Sequence, residues 1–97
     1  MPRKSIDILH YIGVGENNAI HAGELAKLTR AGIREISFCI EELRRNGEVI
    51  LSSSNGYFKP ETMAEVNAHI NRERSRASNI LKTLKTVEEY KRKAEMI

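Results

Sequence analysis

The sequence predicts a mainly α fold with a small β component: three short helices, a β-hairpin and one long C-terminal helix. Three observations carry this. Ile36, Cys39, Ile40 and Leu43 recur at i, i+3, i+4 and i+7 within residues 33–45, the stripe of a helix with one buried face. The apolar run Val49–Leu51 and a second strand, Tyr57–Lys59, flank a serine-rich segment that ends in Asn55-Gly56, a strong hairpin signal. Beyond Pro60 the chain has no Gly or Pro through Ile97, so nothing in it interrupts a helix.

Taken in order, Ser5 can cap a first helix in which Ile6, Leu9 and Ile12 follow at helical spacing with Ile8 beside them. The two glycines of Gly13-Val14-Gly15 end it. Glu16-Asn17-Asn18 reads as a loop and Ala19-Ile20-His21 as a short strand. A second helix runs from about Gly23 to Thr29, offering Leu25, Ala26 and Leu28 to the core. Arg30-Ala31-Gly32 is a break, and the third helix spans Ile33–Arg45 until Asn46-Gly47 stops it. The apolar stripe takes in Cys39, which reads as a small buried hydrophobe. Thr62 is a candidate N-cap, with Glu65 three residues on completing a capping box. The helix that follows has about 35 residues, far above the globular average.

The chain has 97 residues, one domain's worth, and divides at Pro60 into residues 1–60 and a C-terminal helix, residues 61–97. Net charge is +3, mildly basic, which suits a nucleic-acid partner without requiring one. Basic residues concentrate late in the chain, at Arg72, Arg74, Arg76, Lys82, Lys85, Lys91, Arg92 and Lys93. A lone cysteine excludes an intramolecular disulfide and suggests a reducing compartment. The N-terminus lacks the apolar run of a signal peptide, and no segment approaches the roughly 20 apolar residues that cross a bilayer. A soluble cytoplasmic protein is expected.

Helix, short strand, helix, tight turn, helix and hairpin follow one another in the order of a winged helix-turn-helix. Ala26, Leu28, Ile36 and Ile40 supply the small and apolar residues where the paired helices cross, and Gly32 supplies the turn. Glu41-Glu42-Leu43-Arg44-Arg45-Asn46-Gly47 leads into Val49-Ile50-Leu51-Ser52-Ser53-Ser54-Asn55-Gly56-Tyr57-Phe58. Through these residues the chain resembles the winged-helix DNA-binding superfamily, and in particular small winged-helix proteins of bacteriophages and prophages. The resemblance covers about forty residues, 20–59, and implies double-stranded DNA as partner, with the third helix in the major groove and the hairpin on the backbone.

On that expectation, the residues off the apolar stripe are the DNA contacts. Arg34 matches the O6 and N7 of guanine, Ser37 suits phosphate or a base edge, and Glu35 and Glu41 can accept from cytosine N4. Phe38 either touches a thymine methyl or packs under the wing. Ser53, Ser54 and Asn55 at the hairpin tip suit phosphate, with Arg30 and Lys59 adding backbone charge pairs. Glu35, Glu41 and Glu42 also repel phosphate, and Glu41 and Glu42 can pair instead with Arg44 and Arg45.

In the long helix a heptad places Met63, Val66, Ile70, Glu73, Ala77, Ile80, Leu84, Val87, Lys91 and Ala94 at a and d. Val66, Ile70, Ala77, Ile80, Leu84 and Val87 are the candidate contacts of a homodimer. The alternative is that the helix folds back over its own core. His10, His21, His69 and Cys39 show no metal-ligand spacing, and no nucleophile motif or phosphate loop is present, so no catalytic residue, metal, cofactor or small-molecule effector is expected. A regulator and a phage replication or packaging component both fit, and so does a non-enzymatic adaptor that uses the same fold to bind protein.

Overall fold

The computed structural model describes residues 3–96, which are mainly helical with one two-stranded antiparallel sheet. The elements are α1 (Arg3–Tyr11), a single 3₁₀ turn (Glu16–Asn18), α2 (Ala22–Thr29), α3 (Ile33–Arg45), β1 (Leu51–Ser53), β2 (Gly56–Phe58) and α4 (Met63–Glu95).

α1, α2 and α3 pack on one another around Ile8, Ile12, Leu25, Ile36, Cys39, Ile40, Leu43 and Ile50, all buried. The stripe expected on α3 is the buried one, residue for residue. On α1 the helix is rotated from the expected face. Ser5, Ile8 and Ile12 are buried and Ile6 is exposed. Ser5 therefore lies inside α1 and does not cap it, and its Oγ has no hydrogen-bond partner among the described residues. On α2 only Leu25 is fully buried, and Leu28, expected at the crossing, is 51% exposed.

The turn between α2 and α3 also differs from expectation. Arg30, not Gly32, takes the left-handed conformation, at φ 55° and ψ 44°, while Gly32 is extended. The amide of Ala31 reaches back to the Ala26 carbonyl at 2.9 Å, the six-to-one bond of a Schellman end. α3 ends the same way with its expected glycine. Gly47 (φ 94°) and Glu48 donate to Arg44 and Leu43. Glu48 to Ile50 then cross to the sheet as irregular chain, because Arg44 holds that segment: its Nε and Nη2 both donate to the Ile50 carbonyl, at 3.0 and 2.8 Å. The strand consequently begins at Leu51, and Val49, assigned to it from sequence, is exposed outside it.

In the hairpin Leu51 pairs with Phe58, Ser52 with Tyr57 and Ser53 with Gly56. The two-residue turn is thus Ser54-Asn55, one residue earlier than the Asn-Gly pair suggested. Both edges of this small sheet are covered, as exposed strand edges generally must be. On the β2 side, Ile20 and Tyr57 exchange amide bonds at 2.8 and 3.0 Å, and Lys59 bonds Gly13 and Gly15 at 2.7 and 2.8 Å. The expected strand at 19–21 is reduced to that one bridge at Ile20. On the β1 side, α4 covers the edge at Ser52. Its His69 Nδ1 accepts the Ser52 amide at 3.1 Å and its Arg72 donates to the Ser52 carbonyl at 2.6 Å.

α4 starts at the expected capping box, with Thr62 Oγ1 accepting from the Glu65 amide and Glu65 returning the bond. Glu65 does more than cap. One carboxylate oxygen accepts the amides of Glu61 and Thr62, and the other accepts the amide of Glu16, which opens the 3₁₀ turn. These amide bonds, Glu16 first, hold its carboxyl below the ordinary value near 4.5. A lowered carboxylate pKa stabilises above the unfolded value and ceases to as pH falls through the folded one. The root of α4 should therefore loosen on acidification below about pH 4.5. Glu65→Ala should do the same at neutral pH, seen as faster hydrogen exchange at Glu16, Glu61 and Thr62 with α3 unchanged. Equal protection in the variant would show that the anchor lies elsewhere.

Candidate functional site

The exposed side of α3 carries Arg34, Glu35, Ser37, Phe38 and Glu41, as the spacing requires once Ile36, Cys39, Ile40 and Leu43 face inward. These residues divide between two surfaces. Ser37 and Glu41 look onto a groove of about 610 Å³ between α3, the hairpin and α4, which Arg44, Ser52, Ser53, Glu73, Arg76, Ala77 and Ile80 also line. Arg34 and Phe38 lie outside it. Phe38 is 61% exposed, so the packed alternative does not hold for it.

The charged residues of α3 are partly committed. Lys4 of α1 pairs with Glu35 at 3.3 Å, and Arg44 with Glu41 at 3.4 Å. Both pairs are solvent-exposed, so each is worth at most about 1 kcal/mol, and their main consequence is to offset negative charge on this face. Arg45 is exposed at the far end of the helix.

At the hairpin tip, Ser53 Oγ accepts the Asn55 amide at 3.1 Å, and the Asn55 side chain donates to Glu16 at 3.0 Å. Ser53 and Asn55 thus build the turn, while Ser54 is exposed. Ser53 and Ser54 also border a smaller depression with Arg72, Glu73 and Arg76. Lys59 is half-buried, with its backbone bound to the Gly13–Gly15 segment. Arg30 lines a separate depression with Asp7, His10, Tyr11, Leu28 and Thr29. The expected contacts are therefore gathered in part: Ser37, Glu41 and Ser53 share the groove, and Arg30 and Lys59 lie apart from it.

Sequence reading missed how α4 is anchored on the head, at Glu65, His69 and Arg72. Glu65, His69, Arg72 and Arg76 fall three or four residues apart, so they share one helical face and meet the head together. That spacing was a usable signal, masked because the apolar heptad runs alongside it. Among the described residues no group of three or more His, Cys, Asp or Glu side chains could hold a metal ion. No helix there is long and apolar enough to cross a membrane.

Of the seam residues, Val66 is half-buried at the root. Ala77 and Ile80 border the groove, and Ile70, Leu84 and Val87 are exposed. No α4 residue is buried, so the helix does not fold back over the core. Compared with protein-family models, with curated proteins and with solved structures, the chain matches none of them.

Proposed function

We propose that this chain is a non-enzymatic DNA-binding protein of the winged helix-turn-helix type, acting as a transcriptional regulator or as a phage replication or packaging component. α2, the Arg30 turn and α3 are the helix-turn-helix, and β1 with β2 is the wing. One observation carries this reading. α3 is held by four buried residues while Arg34, Ser37 and Phe38, in its N-terminal half, face solvent, and Ser37 shares a groove with Ser53 of the hairpin. A recognition helix enters the major groove by its N-terminal residues, and wing hydroxyls suit phosphate. On the same reading the apolar stripe of α4 pairs with a second copy, which doubles the contacts available to a weakly basic head.

Binding to random duplex DNA should weaken steeply with added salt, because phosphate contacts release counterions. Absence of binding at low salt would overturn the proposal. Arg34→Ala should cost about 1–3 kcal/mol at the preferred site and relax the preference at one base pair. An unchanged preference would remove Arg34 from the recognition set.

A specific observation favours a second reading, that of a protein-binding adaptor. Phe38 is 61% exposed, with Glu35 and Glu42 a turn away on its own face of α3, a combination better suited to a protein surface than to phosphate. Binding to a protein partner through this patch would depend little on salt and would be lost on Phe38→Ala.

A further inference from the structure

From Asn71 to Glu95 every residue of α4 is exposed, so its stripe of Ala77, Ile80, Leu84, Val87 and Ala94 has no cover among the described residues. The stripe is interrupted at two heptad positions, by Glu73 and Lys91. Those two charges decide how a second copy can lie on it. In a parallel pair, equivalent a and d positions meet, so Glu73 would face Glu73 and Lys91 would face Lys91. Like charges set directly opposite one another in a seam are strongly disfavoured.

In an antiparallel pair a positions meet d positions. The register that sets Leu84 against Ile80 of the second copy also sets Ala77 against Val87, Ile70 against Ala94, and Glu73 against Lys91. Both interruptions are then neutralised, twice over by symmetry. The flanking positions agree: Arg74 meets Glu88, Arg76 meets the ring of Tyr90, and Leu81 meets Leu81. Parallel pairing sets Arg76 by Leu81, Thr83 by Glu88 and Tyr90 by Glu95, with no opposite charges. Sliding the antiparallel register by one heptad puts Glu73 against Leu84 and Lys91 against Val66.

We propose that α4 is an antiparallel dimerisation helix, paired in the register that joins Glu73 to Lys91 of the second copy. This rests on the pairing of copies proposed above and adds its direction and register. The tip of the second copy, with Lys91, Arg92 and Lys93, then runs beside the 70–80 stretch, along the groove that holds Glu41 and Glu73. Overlap from Ile70 to Ala94 sets the two Ile70 residues roughly 36 Å apart along the helix axis, and the two roots at Val66 about 48 Å apart.

The test is the dissociation constant of the full chain by analytical ultracentrifugation, without DNA. Glu73→Lys and Lys91→Glu should each weaken the dimer by at least about tenfold, and the double exchange should restore it. Both positions are exposed in the single chain, so circular dichroism should show unchanged helicity. Leu81→Cys should give a disulfide-linked dimer on oxidation, since Leu81 faces its own copy only in this arrangement. A chain that stays monomeric at high micromolar concentration would overturn the pairing itself. A dimer indifferent to the single exchanges, or one not restored by the double, would overturn the antiparallel register. Neither result bears on DNA binding by the head, which the salt titration measures separately.

Discussion

Replacing Phe58 with Ala is expected to destabilise the protein by about 3–5 kcal/mol, the range for removing a buried aromatic side chain. Phe58 has no solvent exposure and stands opposite Leu51 in the hairpin, itself buried. It is the largest of the fully buried side chains, and the core around it is small, so little neighbouring material is available to collapse into the space. A chain of this length has a total stability of about 5–15 kcal/mol, so the loss is a large share of the whole. Urea denaturation should show a lower midpoint at an unchanged slope. A loss below about 1 kcal/mol would mean that the hairpin is not part of the cooperative unit formed by the three helices.

Gly56→Ala is expected to cost about 2–4 kcal/mol, from backbone strain together with a lost or weakened amide bond. Gly56 has φ 116°, a conformation that side-chain-bearing residues rarely adopt, and its Cα lies against the backbone of the 20–21 segment. A Cβ there would collide with the carbonyl of Ile20 and the amide of His21. Since neither can rotate away, the Ile20–Tyr57 bridge must give. Hydrogen exchange should accelerate first at Ile20 and Tyr57, whose amides form that bridge. Stability within about 0.5 kcal/mol of the parent would show that the 19–21 segment can move aside freely.

The two predictions mark where sequence reading succeeded and where it did not. The hairpin was legible because an Asn-Gly pair between two strand-length runs is a local signal. The close approach at Gly56 was not, since its neighbour lies 36 positions earlier in the chain. The turn fell one residue early for a related reason. Gly56 is needed in the strand, where it admits the 19–21 backbone, and Ser54-Asn55 are left to make the bend.

The candidate site divides along the same line. α3's buried face was readable residue by residue, so its exposed face was too, by subtraction. The use made of that exposed face depends on what lies opposite it. Ser37 and Glu41 face α4 across a groove, Glu35 is paired with Lys4, and Phe38 faces solvent. The expected DNA contacts Arg30 and Lys59 were chosen for their charge, and the fold places both away from the groove.

By itself the sequence determined the elements that local periodicity and capping specify: α3 with its four buried residues, the Thr62–Glu65 capping box, and an uninterrupted helix after Pro60. Each of these depends on side chains within a turn or two of one another, where spacing alone settles which groups meet. Only the tertiary structure decided the rest. The face that α1 buries depends on how it lies against α2 and α3, because an apolar arc as broad as Ile6-Ile8-Leu9-Ile12 can be rotated without changing its composition. Arg30 rather than Gly32 takes the left-handed turn because the Schellman bond to Ala26 must close there. Glu65, His69 and Arg72 anchor α4 because the free edge of β1 and the opening amide of the 3₁₀ turn required partners, which come from 17 to 49 residues away in the chain.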